Sequence, residues 1–131
     1  NIDSGTFKAI QQAAQKAFSI EKSTIDKLND MYKARRDAAC EGFRELGWTI
    51  APSKATFYLW LPVPKGMTSE EFVTVMLEKA GIVVPPGNGY GKFGEGYFRV
   101  ALTKDVETIK KCIERMKSAG IRYNMYLTYS I

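Results

Sequence analysis

Residues 85–100 have the sequence PPGNGYGKFGEGYFRV, in which five of the sixteen positions are glycine. Gly89, Gly91 and Gly94 match the spacing G-x-G-x-x-G, which in dinucleotide-binding folds joins a strand to a helix. The apolar residues before the loop fit that order, but EGYFRVAL after it has the composition of a strand. A phosphate bound here would meet no helix N-terminus. The spacing therefore does not indicate a nucleotide site.

Arg99 lies within the otherwise apolar segment YFRVAL that follows the loop. From the residues alone, it is either on the exposed face of an alternating strand or a buried group that binds an anion. A guanidinium binds a carboxylate through two parallel hydrogen bonds, which fix geometry as well as adding energy. Glycine permits positive φ angles and close backbone approach. A loop rich in glycine is therefore suited to turn tightly and present the side chains of the next strand to a pocket.

Hydrophobic periodicity predicts four helices and four strands along the rest of the chain. A capping box of Thr68 and Glu71 marks the start of the third helix, and Asp3 or Ser4 is the candidate cap of the first. The four aromatic residues Trp48, Phe57, Tyr58 and Trp60 are predicted to lie in the core, although Tyr58 also fits a position facing a cleft. The helices are predicted at about 4–18, 24–46, 67–81 and 105–120, and the strands at 48–52, 55–64, 82–86 and 96–103.

The order of these elements predicts the fold class. Adjacent strands joined by tight turns, with helices between them, favour an α+β fold: a small, mostly antiparallel sheet covered by helices on one side as a two-layer sandwich. We expect residues 1–131 to form a single domain. The tail 120–131 has no clear period, and the sequence does not place it.

The composition excludes several classes of function. The net charge is +5, but the basic residues are dispersed among acidic ones, which is typical of a solvated surface and not of a nucleic-acid interface. No apolar run approaches the roughly 20 residues of a membrane span, and no signal peptide is evident. The absence of histidine removes every Ser-His or Cys-His nucleophile and the commonest metal ligand. Cys40 and Cys112 are far apart, so we expect no disulfide framework, no metal site and a cytoplasmic location.

A family resemblance adds to this picture. VVPPGNGYGKFGEGYFRVALT, residues 83–103, resembles the C-terminal signature of the fold-type I, pyridoxal-phosphate-dependent aminotransferases of classes I and II: P-G-x-x-F/Y-G, then G-E-G, then an aromatic residue and R-[VIL]-[AS]. NIDSGTFKAIQQAA at the start is most similar to the LL-diaminopimelate and aspartate aminotransferase branches. The resemblance extends in order over about residues 1–119, through MYKARRDAACEGFRELGW, KATFYLWLPVP and TSEEFVTVMLEKAGIVVPPG.

The resemblance implies roles for individual residues. Members exchange an amino group between an amino acid and a 2-oxo acid, and the family's arginine in this motif binds the substrate α-carboxylate; it falls on Arg99. Asn88 and Tyr90 either contact the substrate or pack the loop. Arg35, Arg36 and Asp37 are expected to form surface or interdomain ion pairs. Three glycines are expected to shape the loop beside Arg99: Gly87, Gly89 and Gly91.

The resemblance also implies what this chain does not supply. The family's catalytic lysine and the residues that hold the cofactor lie upstream of the matching segments, and the Ser53–Lys54 pair fits a surface position. The chain, which begins at Asn1, is therefore expected to be the small C-terminal domain of a longer, usually homodimeric enzyme. It would contain no catalytic, cofactor-binding or metal-binding residue, would bind no pyridoxal phosphate specifically, would be inactive alone and would expose apolar surface.

Two questions stay open at the level of sequence. A stand-alone α+β domain that binds a small carboxylate through Arg99, or that regulates another protein without catalysis, fits the same residues. The preferred amino acid is also open: aspartate and LL-diaminopimelate lead, and alanine and aromatic amino acids remain alternatives.

Overall fold

A computed structural model describes residues 5–125 of the chain, which divide into two compact units on either side of the Met31–Tyr32 bond. All four predicted helices are present. None of the helices within the described residues combines the length and apolar composition that crossing a membrane requires. The helices are α1 (Lys8–Ala17), α2 (Lys22–Glu45), α3 (Ser69–Ala80) and α4 (Val106–Ser118), and the strands are β1 (Tyr58–Pro62) and β2 (Tyr97–Ala101).

The first unit consists of α1 and the N-terminal part of α2. Helix α1 follows Phe7, which makes no side-chain capping bond; the predicted caps Asp3 and Ser4 lie outside the described residues. No residue of α1 is buried. Apolar side chains are exposed in this unit, and Phe18 is 94% accessible. The apolar positions of α1 therefore line up at helical spacing without forming a core of their own.

The second unit contains the sheet. Strands β1 and β2 are antiparallel, with Trp60 opposite Arg99 and Leu61 opposite Phe98. Because successive side chains of a strand point to opposite faces, Leu59, Leu61 and Phe98 enter the core while Trp60 and Tyr97 face outward. The predicted α+β fold with a small antiparallel sheet is confirmed.

The core of this unit forms around Trp48, whose ring makes an edge contact with Phe43 and lies near Phe72 and Phe98. The indole N–H of Trp48 donates to the carbonyl oxygen of Pro62 at 2.8 Å, so its polar atom is satisfied while the ring is buried. The C-terminal half of α2 contributes Ala39, Cys40 and Phe43 to this cluster.

The prediction that four neighbouring aromatic residues are core residues was wrong for two of them. Trp48 is buried, but Trp60 is 44% exposed and Phe57 is also exposed, while Tyr58 is half-buried. In β1 the alternation places Leu59 and Leu61 inside and Tyr58 and Trp60 outside. Aromatic content alone does not show which face of a strand is buried.

Two of the four predicted strands do not form. Residues 48–52 pair with no strand; the N–H of Trp48 instead donates to Phe43 and closes the end of α2. Residues 82–86 run beside β2 but make only a single bridge, between Pro86 and Phe98, and one bond from Arg99 N–H to Pro85. Proline has no N–H to donate, so two consecutive prolines cannot continue a ladder.

Specific capping residues define the start and end of α3. Thr68 Oγ1 accepts from the N–H of Glu71 at 3.2 Å, and the Glu71 carboxylate accepts from the N–H of Thr68 at 2.8 Å, which confirms the predicted capping box. The helix ends at Gly81, whose φ of 60° is the left-handed conformation that glycine adopts most readily. Helix α4 begins after Asp105, whose side chain accepts from the N–H of Thr108.

The start of the C-terminal tail belongs to the core. Ile121 is buried, and the N–H of Tyr123 donates to the carbonyl oxygen of Leu46 at 2.9 Å. The Tyr123 ring lies 5.5 Å from that of Trp48. Residues 126–131, the remainder of the tail that the sequence left unplaced, lie outside the described residues.

Candidate functional site

Arg99 projects from the outward face of β2, opposite Trp60 of β1. Its guanidinium carbon lies 4.2 Å from the centre of the Tyr58 ring and 4.6 Å from the centre of the Tyr90 ring. Both distances are well within the range of attractive cation–π contacts. The guanidinium is therefore held by two aromatic rings from two parts of the chain, the start of β1 and the glycine-rich loop.

The hydrogen bonding of the Arg99 guanidinium is incomplete among the described residues. No described group accepts a hydrogen bond from Arg99 Nε, although that atom is buried. An unsatisfied buried donor costs about 1–3 kcal/mol, so this arrangement is not explained by stability. The ion pairs of the described residues, Lys22–Asp26, Arg36–Asp37 and Glu107–Lys111, do not include Arg99.

Other arginines, by contrast, satisfy backbone carbonyl groups. Arg35 donates to Leu102 O at 3.2 Å, and Arg44 donates to Ile50 O at 2.9 Å. Arg36 forms the predicted ion pair with Asp37 at 2.7 Å, whereas the polar contacts of Arg35 are to carbonyl oxygens. These side chains join helix α2 to loops, which is a structural role.

The glycine-rich loop is built from two short 3₁₀ turns, Gly87–Tyr90 and Lys92–Gly94. Gly91 lies between them with a φ of 115°, a conformation that other residues rarely adopt. The backbones of Gly87 and Gly94 touch: a Cβ on either residue would collide with the carbonyl oxygen of the other. Gly89 has no such constraint, because the space around it is open.

The N-terminus of α3 holds this loop in place. Ser69 is fully buried, and its Oγ accepts from the N–H groups of Gly96 at 2.9 Å and Tyr97 at 3.2 Å. In return, Glu95 accepts from the N–H of Ser69 at 2.8 Å. The Asn88 amide donates to Glu70 at 3.0 Å, so the structure places this predicted site residue in a loop contact.

Sequence reasoning missed Ser69, Glu95 and Gly94. The capping box located the start of α3, but nothing local showed that its partners lie some 25 residues further along the chain. Tyr58 was also missed as a partner of Arg99. The available signal was the aromatic alternation in FYLWL, which places Tyr58 and Trp60 on one face.

Further aromatic side chains pack around the two rings that contact Arg99. The ring centre of Trp60 lies 5.8 Å from that of Tyr97 in a stacked arrangement, and 5.7 Å from that of Tyr90 in a T-shaped arrangement. Tyr58 packs against Phe57 at 4.3 Å. We call the surface formed by Tyr58, Trp60, Tyr90, Tyr97 and Arg99 the aromatic face of the sheet.

A cavity of about 320 Å³ lies in the second unit, between α4 and residues 81–85. Its lining is mostly apolar and includes Met76, Ile109 and Cys112. Arg99 contributes to the lining, but neither Tyr58 nor Tyr90 does. The rings that hold the guanidinium therefore belong to the aromatic face and not to this cavity.

The lysines of this chain lie on its surface. A Schiff-base lysine is activated by a desolvated or cationic surrounding, but every lysine of this chain is exposed, including Lys54. Cys40 is the one buried thiol among the described residues, and its burial raises the pKa of that thiol, which disfavours the reactive thiolate. Neither the lysines nor Cys40 therefore lies in surroundings that would activate it as a nucleophile.

The family of the chain follows from comparison with known proteins. A model of the family "Aminotransferase class I and II" matches residues 2–116. The chain belongs to this aminotransferase family. The match confirms the resemblance found in the signature around Arg99, and nothing in the comparisons favours a stand-alone carboxylate-binding domain.

The chain is also similar in sequence and structure to individual aminotransferases. LL-diaminopimelate aminotransferase 2 of Nostoc sp. is 54% identical over 123 residues, covering 94% of this chain and 32% of that protein. The structure of BacF from Bacillus subtilis aligns with a TM-score of 0.80 at 32% identity, over 92% of this chain and 31% of that one. The LL-diaminopimelate aminotransferase of Chlamydomonas reinhardtii aligns with a TM-score of 0.66 at 28% identity, over 76% and 25%. The chain thus spans about a third of the length of the curated relatives that it matches.

Proposed function

We propose that this chain is the small C-terminal domain of a pyridoxal-phosphate-dependent aminotransferase, in which Arg99 binds the α-carboxylate of the substrate. The observation that carries the proposal is the set of contacts that the Arg99 guanidinium makes and lacks. It is held by Tyr58 and Tyr90, and no described group accepts a hydrogen bond from its buried Nε. A carboxylate is the partner that matches the planar fork of a guanidinium.

The reaction would be amino-group transfer between an amino acid and a 2-oxo acid. We propose LL-diaminopimelate as the amino-acid substrate, because the relatives that are 42–54% identical carry that name. Aspartate is the next substrate to test, since the start of the chain is similar to that branch as well. A comparison of turnover of the two amino acids by the intact enzyme decides between them.

Pyridoxal phosphate would be held by parts of the enzyme outside these residues. It would supply the electron sink on which the amino group is exchanged. The enzyme is proposed to be a homodimer in the cytoplasm, and residues 1–131 are proposed to form one domain of it. We propose that Asn88 and Tyr90 lie near the substrate. Three glycines are proposed to shape the loop: Gly87, Gly89 and Gly91.

Kinetics of the intact enzyme test the role of Arg99. We expect Arg99→Lys to lower kcat/KM about 10- to 100-fold, because a lysine cannot reproduce the bidentate bond. Arg122→Lys, at an exposed arginine of the same chain, is the matched control. Unchanged kcat/KM in Arg99→Lys would show that the carboxylate binds elsewhere.

Cofactor capture tests the proposal that pyridoxal phosphate is held by parts of the enzyme outside these residues. The 131-residue chain is incubated with pyridoxal phosphate, reduced with borohydride and mapped by peptide mass spectrometry. We expect scattered, substoichiometric labelling, because every lysine is exposed and none lies in a desolvated site. One stoichiometric adduct, at Lys54 or elsewhere, would mean that the chain carries a cofactor site of its own.

A further inference from the structure

We propose that Tyr58 and Tyr90 are positioning residues for Arg99, and that they act through their rings by fixing the plane of the guanidinium. This inference rests on the proposed function of Arg99 and goes beyond it. The central carbon of the guanidinium lies 4.2 Å from the centre of the Tyr58 ring and 4.6 Å from the centre of the Tyr90 ring. Tyr58 and Tyr90 do not form a ring pair with each other among the described aromatic contacts, so each holds the arginine separately.

The chemistry of the contact explains why rings are used. A ring attracts the cation through its π face and is at most a weak acceptor for its N–H groups. A carboxylate in the same place would occupy the fork through which the arginine binds a substrate. Two aromatic contacts therefore orient the guanidinium and leave its donor edge available to an incoming carboxylate. A long, flexible side chain held in this way loses less freedom on binding.

Each ring is itself supported. Tyr58 packs on Phe57 at the start of β1, and Tyr90 forms a T-shaped pair with Trp60, with ring centres 5.7 Å apart. Tyr90 ends the turn Gly87–Tyr90, whose Asn88 is bonded to Glu70 of α3. The orientation of the arginine is thereby connected to the strand pair on one side and to the loop anchored on α3 on the other.

The test compares two substrates in the intact enzyme: an amino acid, and the corresponding primary amine that lacks the α-carboxylate. The ratio of their kcat/KM values measures how well the carboxylate is used. We expect Tyr58→Leu and Tyr90→Leu each to lower the amino-acid value about 3- to 30-fold, mainly through KM, because each removes one cation–π contact. The value for the amine should fall less than the value for the amino acid, because the amine has no carboxylate for Arg99 to bind.

Conservative variants separate the ring from its hydroxyl group. Tyr58→Phe and Tyr90→Phe keep the π face, and we expect them to restore most of the preference for the carboxylate. A loss in Tyr90→Phe as large as in Tyr90→Leu would overturn the positioning role of that ring, because the hydroxyl would then bind the substrate. Phe93→Leu is the matched control: Phe93 belongs to the same loop, is 88% exposed and contacts Lys92 instead of Arg99.

The outcomes distinguish this inference from the proposed function. If Arg99→Lys keeps the wild-type ratio of the two substrates, the carboxylate-binding role of Arg99 fails. If Arg99→Lys loses the ratio but both leucine variants keep it, the positioning role alone fails. Equal losses for amino acid and amine in the leucine variants would also contradict the inference, because they would indicate general damage to the fold.

Discussion

The hydroxyl oxygen of Ser69 accepts a hydrogen bond from the N–H of Gly96 at 2.9 Å, across 27 positions of sequence. A second bond from Tyr97 ends on the same oxygen. Ser69 is the first residue of α3, and Gly96 and Tyr97 lead into the strand that carries Arg99. One buried side chain thus connects the start of a helix to the strand of the proposed substrate-binding residue.

We expect Ser69→Ala to lower the free energy of unfolding by about 1–3 kcal/mol, because it leaves two backbone N–H groups without their acceptor. Urea denaturation of the chain measures this change. Ser118→Ala, at the exposed end of α4, should change stability by less than about 0.5 kcal/mol. Equal effects of the two substitutions would mean that the bonds of Ser69 do not stabilise the fold.

The loss of stability caused by a glycine substitution in the loop should depend strongly on its position. Gly94→Ala is expected to destabilise the chain by about 1–3 kcal/mol or more, because its Cβ would collide with the backbone of Gly87. Gly89→Ala should be tolerated within about 0.5 kcal/mol, since its surroundings are open. Thermal unfolding of the two variants compares them directly, and a larger loss in Gly89→Ala would contradict the packing described for the loop.

The two tryptophans provide another matched pair. Trp48→Phe should destabilise the chain by about 1–3 kcal/mol, because Pro62 O loses its donor and the core loses ring volume. Trp60→Phe should be close to neutral in stability because Trp60 is 44% exposed. Chemical denaturation followed by circular dichroism measures both, and a near-neutral Trp48→Phe would argue against the buried core around that indole.

Asp105 should make the free energy of unfolding of the chain depend on pH in the acidic range. The bond from the N–H of Thr108 lowers the pKa of this carboxyl below its ordinary value of 3.8. A lowered native-state pKa means that the ionised form stabilises the fold. This contribution is complete above the ordinary pKa and is lost as the pH falls through the lowered one.

Asp105→Asn tests the sign of this effect. Asparagine remains a good N-cap but does not titrate. The wild-type chain should therefore exceed the variant in stability near neutral pH, and the difference should shrink below about pH 4. Urea denaturation at several pH values measures the difference. The lowered pKa of Glu71 affects both chains alike and cancels. A difference that stays constant down to about pH 2 would contradict a native carboxylate at the cap.

Local signals in the sequence predicted the four helices and the two ends of α3. Thr68 with Glu71 and the glycine at position 81 act within a few residues, so their effects are visible in a short window. The strand predictions at 48–52 and 82–86 were wrong because strand formation depends on a partner elsewhere in the chain. Apolar composition does not supply that partner, and the prolines at 85 and 86 remove two donors.

The candidate site was only partly visible in the sequence. The motif identified Arg99, but its two ring partners come from β1 and from the loop, and the folded register brings them together. The role of Ser69 was hidden for the same reason: a buried serine at a helix start resembles any other serine until its long-range partners are known. Gly94 belongs to the G-x-G-x-x-G spacing, but that spacing does not predict its contact with Gly87. The contact depends on how the two 3₁₀ turns fold back on each other.

The most direct measurement is the structure of the intact enzyme with a 2-oxo acid bound. We expect both oxygens of the substrate carboxylate to lie about 2.7–2.9 Å from nitrogen atoms of Arg99, in a bidentate pair, with the rings of Tyr58 and Tyr90 still against the guanidinium. A carboxylate bound by other groups, with Arg99 out of hydrogen-bonding reach, would contradict the proposal that this chain supplies the carboxylate clamp.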